Sequence, residues 1–280
     1  MSKALAIFEL MRLDKPIGIY LLLWPALLAL VISTNGDFEY ADLLIVIAGS
    51  ILVRSAGCVI NDIWDKDLDG GVERTKTRPI PSKKLSISES WTVFAILGVL
   101  SLMLLSLTNT NTIYVSICFG LMIVIYPLTK RFFIGPQIFL GLTFNPTVIV
   151  YAITNELNNP TMIFLYFAIA AKTIAFDSFY GLCDIDDDKK LGINSTPLWW
   201  GSKTLLIIAI LQFTVIGLLF IVGLKAGLSF AWYIGIILLS GFYFYQHRLA
   251  SQKNFLLAFK NNHWASLYLL MLSGFCFLII

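Results

Sequence analysis

The stretch Leu43–Gly70, LLIVIAGSILVRSAGCVINDIWDKDLDG, changes character at Asn61. From Leu43 to Ile60 it is apolar apart from Arg54 and a few small polar side chains. A run of roughly 20 such residues is what a helix needs to cross the hydrocarbon of a bilayer. The next ten residues then carry Asp62, Asp65, Asp67 and Asp69. A helix fit for lipid that ends in a cluster of carboxylates sets both the fold and the place to look for chemistry.

The rest of the chain repeats the apolar half of that pattern. Its 280 residues are 58% hydrophobic and 13% charged, with a mean hydropathy of +0.82; a soluble domain carries about 25% charged residues. The composition predicts an all-α integral membrane protein, because a helix satisfies its own backbone hydrogen bonds in lipid. A barrel would show short alternating segments instead. Nine transmembrane helices are expected, near 16–33, 41–60, 87–108, 112–129, 136–154, 160–181, 203–224, 228–246 and 263–280, within a single domain spanning 1–280. Arg12, Asp14 and Lys15 precede a first block long enough to span, so no cleaved leader is expected. The cysteines at 58, 118, 183 and 276 are scattered and read as small apolar residues.

The basic residues orient the chain. Lys3, Arg12 and Lys15; Lys66, Arg74, Lys76, Arg78, Lys83 and Lys84; Lys130 and Arg131; Lys189, Lys190 and Lys203; and Arg248, Lys253 and Lys260 all fall in the N-terminal segment or in loops on its side. The opposite loops hold Lys225, while Arg54 and Lys172 lie inside spans. Positive residues stay in the cytoplasm, so the N-terminus is expected there and the C-terminus outside. The two long cytoplasmic loops, 61–86 and 182–202, both follow spans that run inward, and both begin with an acidic cluster.

Asn61, Asp65 and Asp69 recur every four residues and would share one face of a helix. Asp177, Tyr180, Asp184 and Asp188 recur every three or four and would do the same. Two carboxylate stripes at one surface repel each other unless a cation bridges them. Oxygen ligands without His or Cys suit a hard ion, and Mg²⁺ prefers a few carboxylates together with phosphate oxygens. His247 and His263 are expected in another loop. Arg74, Lys76, Arg78, Lys130, Arg131, Lys189 and Lys190 surround the stripes, and that combination of charges suits a phosphate or diphosphate held through Mg²⁺. Asp67, Asp186 and Asp187, off the stripes, read as ordinary solvated loop charge. An EF-hand beginning at Asp65 fails because Lys76 stands where its closing Glu belongs. Asp69–Arg74, DGGVER, begins like the motif of membrane CDP-alcohol phosphotransferases, but no further Asp occurs before Asp177.

Asn61-Asp62-x-x-Asp65-x-x-x-Asp69 and Asp177-x-x-Tyr180-x-x-x-Asp184-x-x-x-Asp188 resemble the two signatures of the UbiA superfamily of membrane prenyltransferases. Met11–Pro25, Arg54–Asp65, Arg74–Ser82, Tyr126–Phe132 and Lys189–Thr196 resemble the branch that prenylates 4-hydroxybenzoate on the way to ubiquinone. The resemblance implies nine helices around a central cavity with a lateral opening, in a bacterial inner membrane, with the active site facing the cytoplasm. It implies that Asp65, Asp69, Asp184 and Asp188 hold two Mg²⁺ on a polyprenyl diphosphate, with Asn61 and Asp177 in support. Arg78, Lys130 and Arg131 would neutralise remaining phosphate charge, and Tyr180 would bond a phosphate oxygen, flank the allylic cation or pack in the core. Arg54 would lie beside the aromatic acceptor and grip its carboxylate. The implied partners are the two substrates and the bilayer, with no nucleic acid and no obligate protein. Lys172 departs from the family pattern, in which an apolar or aromatic residue is expected; it suits either a functional role or a side chain that reaches back to the interface. The other readings are a related enzyme acting on 1,4-dihydroxy-2-naphthoate or homogentisate, and a transporter.

Overall fold

The computed structural model describes residues 2–71 and 74–278. Met1, Val72, Glu73, Ile279 and Ile280 lie outside the described residues, so the middle of the DGGVER stretch and the last two residues of the final expected span do too. The described residues form helices and no strands. In order they are α1 (Lys3–Leu10), α2 (Ile17–Ser33), α3 (Tyr40–Trp64), α4 (Ile87–Leu105), α5 (Thr110–Thr129), α6 (Pro136–Thr143), α7 (Thr147–Ile153), α8 (Thr161–Cys183), α9 (Ile185–Leu191), α10 (Thr196–Trp200), α11 (Thr204–Ala226), α12 (Phe230–Ser251) and α13 (Phe255–Leu278).

Among the described residues six stretches are helical, long and apolar enough to cross a bilayer: 40–64, 87–105, 110–129, 136–153, 161–183 and 196–226. α2 is a shorter apolar helix of 17 residues. α12 and α13 run to 22 and 24 residues and carry polar groups such as Gln246, His247 and Asn262 within their length. The chain is a multi-pass, all-helical membrane protein.

The helix ends follow local chemistry. Ser86 and Glu89 form a reciprocal capping box that starts α4, each side chain satisfying a backbone N–H that the first turn leaves open. Asn109 caps α5 through Thr112 N at 2.9 Å. Gly192 and Gly227 close α9 and α11 in the left-handed conformation, which glycine enters without a Cβ clash.

Several expectations are corrected. The run 136–154 is two helices, because Pro146 has no N–H to extend a helix and Asn145 turns its side chain to Thr147 N (3.2 Å) and Tyr166 O (2.8 Å). α13 begins eight residues before the expected 263, so Lys260 and His263 are helical; their polarity imitates a loop, yet they line a cavity of about 970 Å³. His247 likewise lies in α12 rather than in a loop. Lys172 does not reach the interface: it is 4% exposed and donates to Ser266 Oγ and Asn262 O of α13.

The main core joins α2, α7, α8, α11, α12 and α13 away from the acidic loops. Trp232 is fully buried there, and its indole N–H donates to Leu219 O at 3.0 Å. Gly223 makes room for it, since a Cβ at 223 would lie 2.4 Å from Trp232 Cδ1. Small residues at such crossings let apolar helices pack closely where lipid supplies no hydrophobic drive. α4 and α5 bury few residues and present apolar faces outward.

Candidate active site

One cavity of about 970 Å³ opens where α3 and α8 end, with walls from α2, α3, α5, α6, α8 and α13. Of the residues that sequence singled out, Arg54, Asn61, Asp65, Asp69, Arg78, Lys130, Asp177, Tyr180, Asp184 and Asp188 all line it. Arg131 does not: its guanidinium donates to Trp64 O at 2.6 Å and ties the end of α3 to the loop after α5. That bond satisfies an open carbonyl at the helix end.

Neither stripe is one helix face. α3 stops at Trp64 and Asp65 is its C-cap, with Asp65 N donating to Asn61 O at 2.9 Å. Asp69 sits four residues on in a 3₁₀ turn, its N–H on Asp65 O at 2.8 Å. α8 stops at Cys183, and Asp184 is both its C-cap and the N-cap of α9, which carries Asp188. The fourfold spacing survives because successive tight turns continue the course of each helix after its regular part has ended.

Each cluster is bonded to cations. Asp65 Oδ2 accepts from Lys130 Nζ at 2.8 Å, and Asp69 Oδ2 accepts from Arg78 Nη1 at 2.8 Å. Asp184 receives Arg74 through two bonds, one from Nε at 3.0 Å. The same guanidinium lies 4.3 Å over the Tyr180 ring and donates to its hydroxyl. Arg74 comes from the first acidic loop and Asp184 from the second, so this contact joins the two clusters.

Electrostatics follow from burial and these partners. Burial pushes the Asp188 carboxyl up to about 6, and the neighbouring Asp184 adds to the effect. Burial also raises Asp69, with Arg78 opposing it. Burial works against the Lys130 ammonium, but Asp65 outweighs it and the pKa lies above the usual lysine range.

Among the described residues no three acidic, His or Cys side chains gather into a self-sufficient metal cage. The donors nevertheless suit a hard divalent ion that shares its coordination with a ligand. They are carboxylates on two facing turns, and Asp65 Oδ1 is buried without a hydrogen-bond partner. A buried acceptor left open is costly and calls for an occupant.

Sequence reading passed over three residues here. Asp62 is 1% exposed and accepts Arg12 Nη2 at 2.8 and 2.7 Å and Arg78 Nη1 at 3.1 Å. Arg12 adopts a left-handed φ of 57° to reach it. Phe144, at the break between α6 and α7, lies 5.1 Å from the Arg54 guanidinium carbon. Arg12 belongs to the Met11–Pro25 stretch that carried the resemblance, and Asp62 to the first signature itself. Nothing local marked Phe144.

Arg54 differs from Arg12, Arg74, Arg78 and Lys130, which are all ion-paired. It has no hydrogen bond or ion pair among the described residues, and its Nε is buried without a partner. It lies two helical turns below Asn61, roughly 10 Å deeper at 1.5 Å per residue.

The model of the UbiA prenyltransferase family matches residues 22–277. A 4-hydroxybenzoate octaprenyltransferase of Pseudomonas aeruginosa is 40% identical over 265 residues, covering 92% of this chain and 89% of its own. One from Aliivibrio fischeri is 38% identical over 279 residues, covering 98% of each. Among solved structures, the apo form of a UbiA homologue from Aeropyrum pernix K1 superposes with a TM-score of 0.79 at 22% identity, over 90% of this chain and 94% of that one. A UbiA homologue from Archaeoglobus fulgidus, bound to GPP and Mg²⁺, superposes with a TM-score of 0.75 at 17% identity, over 98% and 100%.

Proposed function

The chain belongs to the UbiA prenyltransferase family, and from that premise we propose that it transfers a polyprenyl group from polyprenyl diphosphate to 4-hydroxybenzoate. The new bond forms at the ring carbon ortho to the hydroxyl, in ubiquinone biosynthesis. The observation that carries this reading is a division of labour in one cavity. Two carboxylate turns with their cations lie at its mouth, and an unpaired arginine lies deeper, against an aromatic ring.

Asp65, Asp69, Asp184 and Asp188 would hold divalent ions, with Asn61 and Asp177 in support, and we take Mg²⁺ as the ion. When bound there, it would stabilise the charge that builds on the departing diphosphate. Arg78 and Lys130 would exchange their carboxylate partners for phosphate oxygens, while Arg131 keeps the end of α3 in place. Tyr180, beside Arg74, would either bond a phosphate oxygen or face the allylic cation. The apolar walls would keep water from that cation. Arg54 would grip the acceptor's carboxylate through two parallel hydrogen bonds and turn its hydroxyl edge upward. The ring carbon then attacks, and its proton is lost to restore aromaticity.

We further read the chain as one domain over 1–280, crossing a bacterial inner membrane nine times with the N-terminus and the cavity mouth in the cytoplasm. The one-sided distribution of Lys and Arg supports this. The test is an assay of membranes bearing the protein with a polyprenyl diphosphate, Mg²⁺ and a panel of aromatic acceptors, read by product mass. A prenylated 4-hydroxybenzoate is expected. Product only with 1,4-dihydroxy-2-naphthoate or homogentisate would move the chain to another acceptor, and no product with any would remove the reading.

A further inference from the structure

Gly18 lies in the first turn of α2, is buried, and has ordinary helical backbone angles. Its backbone therefore does not require glycine, and glycine is the poorest helix former after proline. What the position needs is space. A Cβ there would lie 2.5 Å from both Nε and Nη2 of Arg54 and 2.8 Å from Cζ. The Nε–Cζ–Nη2 edge of the guanidinium rests in the gap that the missing side chain leaves. The Phe144 ring stands 5.1 Å from Cζ. With α2 at contact distance, Arg54 has no room to move toward that helix. A side chain without a hydrogen bond or ion pair of its own is otherwise free to change rotamer, so these neighbours are what hold it.

From this we infer that Gly18 is a specificity-determining residue: its empty Cβ position forms the slot that holds the Arg54 fork in line with a ring-bound carboxylate, and so selects benzoate acceptors over neutral phenols. The inference rests on the reading of Arg54 as the acceptor's anchor. Gly18 lines the same cavity as Arg54, and its role is to position the Arg54 fork. Pre-set forks lose little freedom on binding, which is where arginine outperforms lysine at bidentate sites. A displaced fork would give up one or both charge-assisted bonds.

The test compares Gly18→Ala with wild type in membranes, using 4-hydroxybenzoate and its neutral amide, 4-hydroxybenzamide, as acceptors. Gly18→Ala should raise KM for 4-hydroxybenzoate about tenfold or more, the loss expected for one bond to a charged group. It should leave KM for the polyprenyl diphosphate near wild type and abolish the preference for the acid over the amide. In an Arg54→Lys background the same substitution should add little, because no planar fork lies against α2. If Arg54→Ala raises the acceptor KM but Gly18→Ala does not, the slot is overturned and the anchor stands. If Arg54→Ala leaves discrimination between acid and amide intact, the anchor falls and the slot with it. Should Gly18→Ala fail to accumulate as folded protein, its recovery in an Arg54→Ala background, read by detergent melting, would support the slot. Failure in both backgrounds would overturn it.

Discussion

Lys130 Nζ bonds one oxygen of Asp65 at 2.8 Å, while the other oxygen of the same carboxylate is buried and has no hydrogen-bond partner. One side chain thus faces a protein cation on one edge and carries a buried, unbonded oxygen on the other. Asp65→Ala, Asp69→Ala, Asp184→Ala and Asp188→Ala should each abolish prenyl transfer while the protein still reaches the membrane. Chelation of wild type should do the same and be reversed by Mg²⁺. Asp67, exposed, and Asp187, paired with Lys190 at 3.4 Å, should tolerate alanine with little loss. Product formation per unit of membrane-inserted protein reads all of these. Turnover that persists in chelator would remove the metal from the mechanism.

The Asp188 carboxyl is pushed up to about 6 by burial. Its charged form is therefore lost as pH falls through about 6 rather than near the usual 4, and a carboxyl must lose its proton before it can ligate a metal. The Mg²⁺ concentration needed for half-maximal activity should be flat above pH 7 and should rise roughly tenfold per pH unit below 6 if one proton is displaced. Metal titrations of initial rate between pH 5.5 and 7.5 would show it. A requirement that does not change with pH would refute it.

Asp62 is clamped by two arginines, both of its oxygens accepting. Asp62→Ala should cost about 3 kcal/mol, because the partly buried Arg12 guanidinium loses its counter-charge and Arg78 keeps only Asp69. Asp62→Asn should cost less, since it keeps an acceptor for one of them. Thermal unfolding in detergent would rank the variants, and an unchanged midpoint for Asp62→Ala would contradict the clamp.

Arg54→Ala should raise KM for 4-hydroxybenzoate by about ten- to a hundredfold, in keeping with hydrogen bonds between charged partners, and should barely move KM for the polyprenyl diphosphate. Arg54→Lys should restore little of the loss. Initial rates with each substrate varied in turn separate the two constants. A defect confined to the diphosphate would reassign Arg54 to the phosphate site.

Cysteines placed at 83 and 190 should be labelled only from the cytoplasmic side, and cysteines at 35 and 225 only from the other, in a chain without native cysteines. Labelling of 83 and 190 from opposite sides would set the two acidic turns a bilayer apart.

Much of this arrangement is legible without coordinates, for physical reasons. Bilayer thickness imposes a length on every span, so α3, α5, α8 and α11 lie within a few residues of their expected limits. The fourfold spacing brings Asn61, Asp65 and Asp69 together even though helix gives way to turn at Trp64. Illegible were features that depend on distant partners. Phe144 enters the cavity because Pro146 breaks a helix that hydropathy joins. Lys172 stays buried because α13 offers a hydroxyl and a carbonyl. Arg131 bonds the carbonyl at the end of α3, a partner that spacing does not show.

The pairing of Arg74, Arg78 and Lys130 with the acidic turns has a further consequence. A metal entering the mouth must draw carboxylates from these cations, and a diphosphate must draw the cations from the carboxylates. Each event removes the same internal bonds, so whichever comes first lowers the cost of the second. On the proposed function, metal and diphosphate would thereby be heterotropic effectors of one another, with an enhancement equal in both directions. Either alone meets a neutralised surface; together they dissolve it.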